Sequence, residues 1–177
     1  GAIRGYLRLL PSDGRGHLVY ATLLLDQAQS DSARAQAMVA GQVDSLQRNS
    51  AGQVLFAIGV AKLRTEDWAG AADLLGLAKD WVTAPPARVA QIAYYLGVSQ
   101  FRLATGADST AMLATTPAQA QVRCDAAHRL ASLIDQVEAN VTAGGRTDPD
   151  RAQQILTQVV PTYRQRAQTF LRQARCP

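Results

Sequence analysis

The sequence predicts an all-α protein made of antiparallel helical hairpins, and three observations lead to this fold class. Residues that favour helices, notably Ala, Leu, Gln and Arg, are abundant in the 177-residue chain. Helix caps and helix-breaking residues recur at intervals of about one helix. Small residues also recur at a fixed spacing of 38 residues. Helices joined by such short breaks are expected to lie side by side in opposite directions.

Caps and turns place the elements of the first half of the chain. Pro11 and the three residues after it predict a turn, which sets the N-terminal segment, residues 1–14, apart from the first hairpin. Later breaks follow at 29–32, 49–50, 65–67 and 84–86, and Asn49 with Ser50 is expected to cap the helix that comes next. The predicted helices are therefore 15–28, 31–48, 51–64, 67–82 and 86–104.

The second half contains one further loop and two long helical stretches. Residues 105–109 predict a loop that ends in a cap, followed by a short helix to about residue 115. Pro117 fits the first turn of a helix that runs to about residue 140, and the strongest break of the chain follows at 142–149. Asp148 should cap a last helix, which Pro161 should kink or split. This pattern divides the chain into residues 1–14, hairpins at 15–116 and C-terminal capping helices at 117–177.

Small residues occupy equivalent positions in three successive copies of the 38-residue period. The sets are Ala21, Gly59 and Gly97; Ala33, Ala71 and Ser109; and Ala40, Ala78 and Thr116. Each lies where a helix would gain more stability by burying a large side chain such as Leu. We therefore predict that these residues mark the crossings where the backbones of paired helices approach closely.

The middle copy of this period resembles the tetratricopeptide repeat (TPR) family. Its residues follow the order and spacing of the family signature at Leu55, Ile58, Gly59, Asp67, Trp68, Ala71, Leu75 and Ala78. The third copy is partial, because a good Tyr95-Leu96-Gly97 precedes a divergent second helix, and the first copy matches only through the period. The resemblance covers about residues 15–116 and implies a short right-handed solenoid with a C-terminal cap. Because the spacing exceeds the family's usual 34 residues, helices or loops must be extended.

The resemblance also implies a partner-binding groove, since such repeats hold a segment of another protein on the surface lined by the first helix of each hairpin. The family's groove positions correspond here to Gln53, Phe56, Val60, Leu63, Arg64, Gln91, Tyr94, Val98, Phe101 and Arg102. Two arginines beside aromatic side chains would suit a partner that offers a carboxylate and apolar anchors. In the alternative interpretation, the C-terminal helices fold back into the groove and these residues become core and rim.

Charge and motifs argue for a protein partner over other functions. The net charge of +4 comes almost entirely from Arg residues interspersed with acids, whereas a nucleic-acid surface clusters its cations. A basic nucleic-acid-associated regulator stays as the alternative. The chain has no GxSxG, no HExxH and no phosphate-binding glycine loop, so we expect no enzymatic activity, no cofactor and no small-molecule substrate.

The two cysteines, Cys124 and Cys176, are compatible with one disulfide that ties the C-terminus to an earlier helix. Such a bond is useful in an oxidising compartment, whereas two free thiols would fit a reducing cytoplasm. A third interpretation is a zinc site completed by His17 and His128, although the close CxxC spacing of strong zinc motifs is missing.

The sequence gives only an outline of where the protein works. Its apolar runs are too short to span a membrane. The start GAIRGYL is compatible with a processed mature chain, and the Arg-rich, Lys-poor composition suggests a high-GC bacterium. There, extracytoplasmic proteins that resemble this family act as assembly factors or accessory subunits of envelope or membrane complexes. We expect a periplasmic or other extracytoplasmic location, with the cytoplasm as the alternative. The amphipathic segment around Tyr6 is expected to dock on its own domain, on a partner or on a membrane surface.

Overall fold

The computed structural model describes residues 2–174 and Cys176, and its regular elements over these residues are all helical. The chain forms two compact units, residues 1–92 and residues 93–177. This architecture confirms the all-α fold class. Gly1, on which the expectation of a processed start depends, lies outside the described residues.

Five helices belong wholly to the first unit, α1 (Ala2–Leu9), α2 (Gly14–Asp26), α3 (Ser30–Val43), α4 (Arg48–Arg64) and α5 (Trp68–Trp81). Helix α6 (Pro86–Leu113) begins in the first unit and continues into the second, which also contains α7 (Ala120–Gly144), α8 (Pro149–Gln154) and α9 (Val160–Gln173). Short 3₁₀ turns occupy Ser45–Gln47, Pro117–Gln119 and Gly145–Thr147, and a π-helical turn, Ile155–Val159, joins α8 to α9.

The first unit contains the two helical hairpins expected from the sequence, α2 with α3 and α4 with α5. In the second hairpin, a Cβ atom added to Gly59 would lie 3.0 Å from Cγ of Leu75, so the α4 backbone passes directly over this side chain. The small residues of the facing helices have no exposed surface; they are Ala21, Ala33, Ala40, Ala71 and Ala78. The prediction that small residues mark helix crossings is therefore confirmed in these hairpins.

Trp81 fixes the second hairpin against the first. A Cβ atom added to Gly41 of α3 would lie 2.5 Å from the indole ring of Trp81. A Cβ atom added to Gly52 of α4 would lie 3.0 Å from the Cβ atom of Trp81. The structure assigns Trp81 to packing between the α3 and α4 helices.

One predicted cap was wrong. Helix α4 begins at Arg48, so Asn49 and Ser50 lie inside the helix and do not cap it. The side-chain oxygen of Asn49 instead accepts hydrogen bonds from the backbone N–H groups of Thr83 and Ala84, at 2.9 and 3.1 Å. Asn49 thus satisfies donors of the turn after α5, which are distant in sequence and gave no local signal.

The predicted loop at residues 105–109 was also wrong, because α6 continues through it. The hydroxyls of Thr105, Ser109 and Thr110 donate to backbone carbonyls of the preceding helical turn, so these polar residues need no loop. Apolar burial then decides the conformation: Ala104 and Ala111 have no exposed surface. Tertiary packing overrides the weak local preference for a break.

The third copy of the period consequently does not form the expected hairpin. Gly97 does mark a helix crossing, since an added Cβ would lie 2.8 Å from a methyl carbon of Val141 and 3.3 Å from its backbone nitrogen. The helix that crosses α6 at this point is therefore α7. Ser109 lies on α6 itself and Thr116 precedes the next 3₁₀ turn, so neither belongs to a second hairpin helix.

The end of the chain forms a helix interrupted where the sequence predicted. Asp148 precedes α8 and its carboxylate accepts from the N–H of Arg151 at 3.2 Å, as expected for a cap. The π-helical turn ends directly before α9, whose first turn contains Pro161. The proline lacks the N–H that would continue a regular helix, which explains the split.

Cys124 near the start of α7 and Cys176 form a disulfide.

Candidate partner-binding site

A cleft of about 650 Å³ opens on the surface of the second unit. One wall is a face of α6, and the other is the loop that leads into α8. The lining residues are Tyr94, Tyr95, Val98, Thr147, Asp148, Pro149 and Arg151. Residues 94, 95 and 98 share one face because helix neighbours recur every three to four residues. Tyrosine, valine and proline make most of this lining apolar.

Asp148 joins the two walls of the cleft. One carboxylate oxygen caps α8, and the other accepts a hydrogen bond from the hydroxyl of Tyr94 at 3.2 Å. The carboxylate is therefore already used by two donors of the protein itself. This arrangement positions the α8 loop against α6 and gives the cleft a defined shape.

Tyr94 is held in its neutral form. Burial of the phenol, together with the negative charge and the hydrogen-bond acceptance of Asp148, raises the pKa of Tyr94 to about 12, against a smaller opposing effect of Arg151. The ring packs edge-on against Tyr95, with centroids 5.7 Å apart. Tyr94 thus acts as a fixed donor and as a rigid apolar surface.

Arg151 supplies the positive charge of the cleft. One guanidinium nitrogen donates to the side-chain oxygen of Gln154 at 2.7 Å, and the side chain forms no ion pair with any described residue. Its remaining N–H groups can meet an acceptor from outside. An apolar wall beside an arginine with no ion-pair partner suits a ligand that carries an apolar side chain next to a carboxylate.

Two residues predicted to bind a partner, Tyr94 and Val98, lie in this cleft. Phe101 lies one turn further along α6 and packs edge-on against Tyr163, with ring centroids 5.7 Å apart. Arg102 is exposed. Phe101 therefore packs against the core of the second unit. Tyr94 is largely buried, although it lines the cleft.

The predicted residues of the first unit have mixed environments. Phe56 is buried, and the guanidinium carbon of Arg88 lies 4.5 Å from its ring centroid, a cation–π geometry. Gln53, Val60, Leu63 and Gln91 are half-buried, whereas Arg64 is exposed. Phe56 thus has the surroundings of a core residue, which the second interpretation of the groove anticipated. The assignment of these residues to a partner stays a prediction.

Sequence reasoning missed Tyr95, Pro149 and Arg151 as members of a site. The helix register of α6 already placed Tyr95 beside Tyr94, so this omission had a local signal. Pro149 and Arg151 reach the cleft only through the packing of the α8 loop, and the cap at Asp148 was the sole sign that this loop is ordered.

The disulfide bears on the zinc interpretation. It engages the sulfur atoms of both cysteines, which the zinc site would need as thiolates. His17 is held by Gln36 and by the carbonyl of Pro11, at 2.7 and 2.9 Å. Over the described residues, no three Cys, His, Asp or Glu side chains lie close enough together to hold a metal ion.

Some of the basic side chains of α9 are paired with acids. Arg164 binds Asp135 and Glu138, both at 2.7 Å, and these contacts raise its pKa. Arg166 binds the buried Asp108 at 2.6 Å. These arginines therefore do not contribute to an unpaired basic stripe of the kind that nucleic-acid binding uses.

Within the described part of the chain, no helix combines the length and apolar character needed to span a membrane.

The structure is similar to a solved helical-repeat protein. No family model matches the chain, and no curated protein matches it. Among solved structures, the chain is similar to YrrB, described as a TPR protein with an unusual peptide-binding site. The sequence identity is 18% and the TM-score 0.41, over 98% of this chain and 91% of that one. The helical-hairpin repeat is seen directly in the packing of α2 against α3 and of α4 against α5.

Proposed function

We propose that the protein is a non-catalytic interaction module that holds a segment of a partner protein in the α6–α8 cleft. The observation that carries this proposal is the meeting of an apolar wall, formed by Tyr94, Tyr95 and Val98, with the guanidinium of Arg151. Tyrosine and arginine are the side chains most often responsible for affinity at protein interfaces. Because Asp148 is occupied by internal donors, the cleft favours an incoming carboxylate over a cation.

The partner segment is expected to offer an apolar or aromatic side chain followed closely by an Asp, a Glu or a chain terminus. The apolar group would pack on Tyr95 and Val98, both half-buried, and the carboxylate would accept hydrogen bonds from Arg151. Arg64 and Arg102, the exposed arginines of the groove predicted from sequence, remain candidates for further contacts. In the wider role we propose, the protein is an accessory or assembly subunit of a bacterial envelope or membrane-associated complex. The disulfide agrees with an oxidising compartment.

A display library of random peptides, selected against the wild-type protein, tests the cleft directly. We expect selected sequences to share an apolar residue beside a carboxylate, and Arg151→Glu to weaken binding of these peptides at least tenfold, because it replaces an attraction with a repulsion. The matched control is Arg129→Glu, which makes the same charge change at an exposed position of α7. Fluorescence polarisation of labelled peptides measures both variants.

Two outcomes would contradict this site. If Arg64→Glu or Arg102→Glu abolishes binding while Arg151→Glu does not, the partner uses the groove predicted from sequence. If the selected peptides bind all four variants as tightly as the wild type, neither surface carries the function. Helicity of every variant is checked by circular dichroism before binding is compared.

A further inference from the structure

Four large apolar side chains protrude near one end of the first hairpin. Leu9 and Leu46 are 81% and 85% exposed, and Leu10 and Val43 are 49% and 46% exposed. We call these four residues the leucine tip. Leu9 ends α1 and Leu10 follows it, whereas Val43 ends α3 and Leu46 lies in the 3₁₀ turn after α3.

Packing around Gly14 brings these two chain segments together. A Cβ atom added to Gly14 would lie 2.5 Å from Cβ of Asp44 and 3.4 Å from a methyl carbon of Val43, so the start of α2 lies directly against the end of α3. The turn before α2 is closed by a hydrogen bond from Asp13 N–H to the carbonyl of Leu10 at 3.2 Å. His17 bridges the carbonyl of Pro11 to Gln36 of α3.

Helix α1 is fixed on α2 by its other face. The side chains of Tyr6 and Leu7 approach Gly16 so closely that an added Cβ would lie 2.9 and 3.0 Å from them. Arg4 donates a hydrogen bond to the hydroxyl of Tyr20 and lies over its ring. These contacts use one side of the short helix and leave Leu9 and Leu10 directed to solvent at its end.

Both acidic and basic side chains lie near the leucine tip. Asp13 accepts a hydrogen bond from the hydroxyl of Tyr6 at 2.6 Å. Asp44 accepts a hydrogen bond from the backbone N–H of Leu46 at 2.9 Å. The side chains of Arg8 and Arg15, next to Leu9 and to the start of α2, form no hydrogen bond or ion pair with any described residue. Hydrogen bonds from neutral donors leave Asp13 and Asp44 negatively charged. The four arginines of these segments outnumber the two acids and give a net charge of +2; they are Arg4, Arg8, Arg15 and Arg48.

We propose that the leucine tip docks the first unit on an anionic lipid surface. Single leucines that protrude from two neighbouring turns form no concave groove for a peptide, but they can enter the headgroup and acyl boundary of a bilayer, which needs no preformed pocket. Arg8 and Arg15 would lie at the level of the headgroups and attract anionic lipids. This inference does not depend on the α6–α8 cleft.

Vesicle co-sedimentation tests the proposal with the whole chain. We expect binding to vesicles of phosphatidylglycerol and phosphatidylcholine, and much weaker binding to phosphatidylcholine alone. The R8Q/R15Q variant removes two positive charges, and each should account for about a fivefold change in binding to anionic vesicles. Together they should weaken binding of the protein to these vesicles on the order of 25-fold. L9S/L46S should weaken it by about tenfold or more, because apolar area no longer enters the interface. Raised salt should weaken wild-type binding and leave R8Q/R15Q nearly unaffected.

The matched control is L113S, since Leu113 is 77% exposed at the end of α6 in the second unit. It should bind vesicles like the wild type. Equal loss in L113S and L9S/L46S, or no binding of the wild type to anionic vesicles at low salt, would overturn the proposal. So would concentration-dependent dimers in lipid-free sedimentation that L9S/L46S abolishes, because the leucine tip would then be covered by a second copy of the chain.

Discussion

The indole ring of Trp81 occupies the space that a side chain on Gly41 would require. The nearest ring carbon lies 2.5 Å from the position of an added Cβ, and two more lie within 3.0 Å. This contact joins α5 to α3 and so couples the two hairpins of the first unit. The absence of a side chain at Gly41 is therefore a packing requirement.

Substitution at this contact should destabilise the first unit. In Gly41→Ala the methyl group must displace a large packed ring, which costs about 1–3 kcal/mol by overpacking. The gain in helix propensity offsets up to about 1 kcal/mol of this. We expect a net loss of roughly 1 kcal/mol, and at most about 2.5 kcal/mol, in the free energy of unfolding by urea, the difference between these two effects.

Gly76→Ala provides the opposite case for the same chemical change. Gly76 lies within α5, and no atom lies within 4 Å of an added Cβ apart from its own helix backbone and chain neighbours. The substitution should raise stability by about 0.5–1 kcal/mol. Equal effects of the two alanines would show that Trp81 does not pack against Gly41.

The continuity of α6 is tested at Gly106. This glycine lies inside the helix, with open space around an added Cβ. Gly106→Ala should stabilise the second unit by about 0.5–1 kcal/mol, because alanine favours the helix. If residues 105–109 formed the loop that the sequence suggested, the same substitution would have no such effect. Urea unfolding of the single variant separates the two cases.

The contrast between Gly59 and residues 105–109 shows what sequence could and could not predict in the fold. At Gly59 the break at residues 65–67, the apolar pattern and the small residue all favour the same hairpin, and that hairpin is present. At residues 105–109 the polar and glycine residues favour a loop. The burial of Ala104 and the ion pair of Asp108 with Arg166 are long-range effects that reverse this preference.

The candidate site shows the same limit. Tyr94 and Val98 were selected through the resemblance to the groove positions of TPR proteins, and both lie on one face of α6. Arg151 could not, because it reaches the cleft only after the α8 loop is tied to α6 through Asp148. Phe56 was selected through the same resemblance, but its ring lies buried under Arg88. Register predicts which residues share a face, whereas tertiary packing decides whether that face is covered.

Loss of the disulfide should destabilise the second unit without removing its fold. Cys124 and Cys176 are 52 residues apart, and closing a loop of this length restricts the unfolded chain by about 4 kcal/mol in the chain-entropy model. We expect C124S/C176S to lose roughly this free energy of unfolding as an upper value. Phe170 and Ala167 of α9 remain buried and still hold that helix.

Reduction provides the control for this prediction. Dithiothreitol should lower the urea midpoint of the wild type toward that of C124S/C176S and leave the variant unchanged. A wild type that is insensitive to the reductant under unfolding conditions would mean that the two cysteines are not joined in solution. The interpretation of an oxidising compartment would then lose its support.

Tyr94 should make the stability of the second unit fall at alkaline pH. Its pKa of about 12 in the folded protein exceeds the ordinary value of 10.0, so the folded state keeps the phenolic proton over a range in which the unfolded chain releases it. The resulting stabilisation is complete below pH 10.0 and is lost as the pH rises toward 12. The pKa of Tyr6 is also raised, by its hydrogen bond to Asp13, so ultraviolet titrations of the wild type and of Tyr94→Phe must be compared to assign the step near pH 12.

Tyr94→Phe should remove both effects. At neutral pH it loses the hydrogen bond to Asp148, worth about 1 kcal/mol, and its unfolding free energy should fall less steeply above pH 10.0 than that of the wild type. Tyr163→Phe is the matched control, because the hydroxyl of Tyr163 makes no hydrogen bond with a described residue. If the step near pH 12 is unchanged in Tyr94→Phe, that step does not belong to Tyr94. The bridge between α6 and the α8 loop would then not form in solution, and the cleft that depends on it would lose its defined shape.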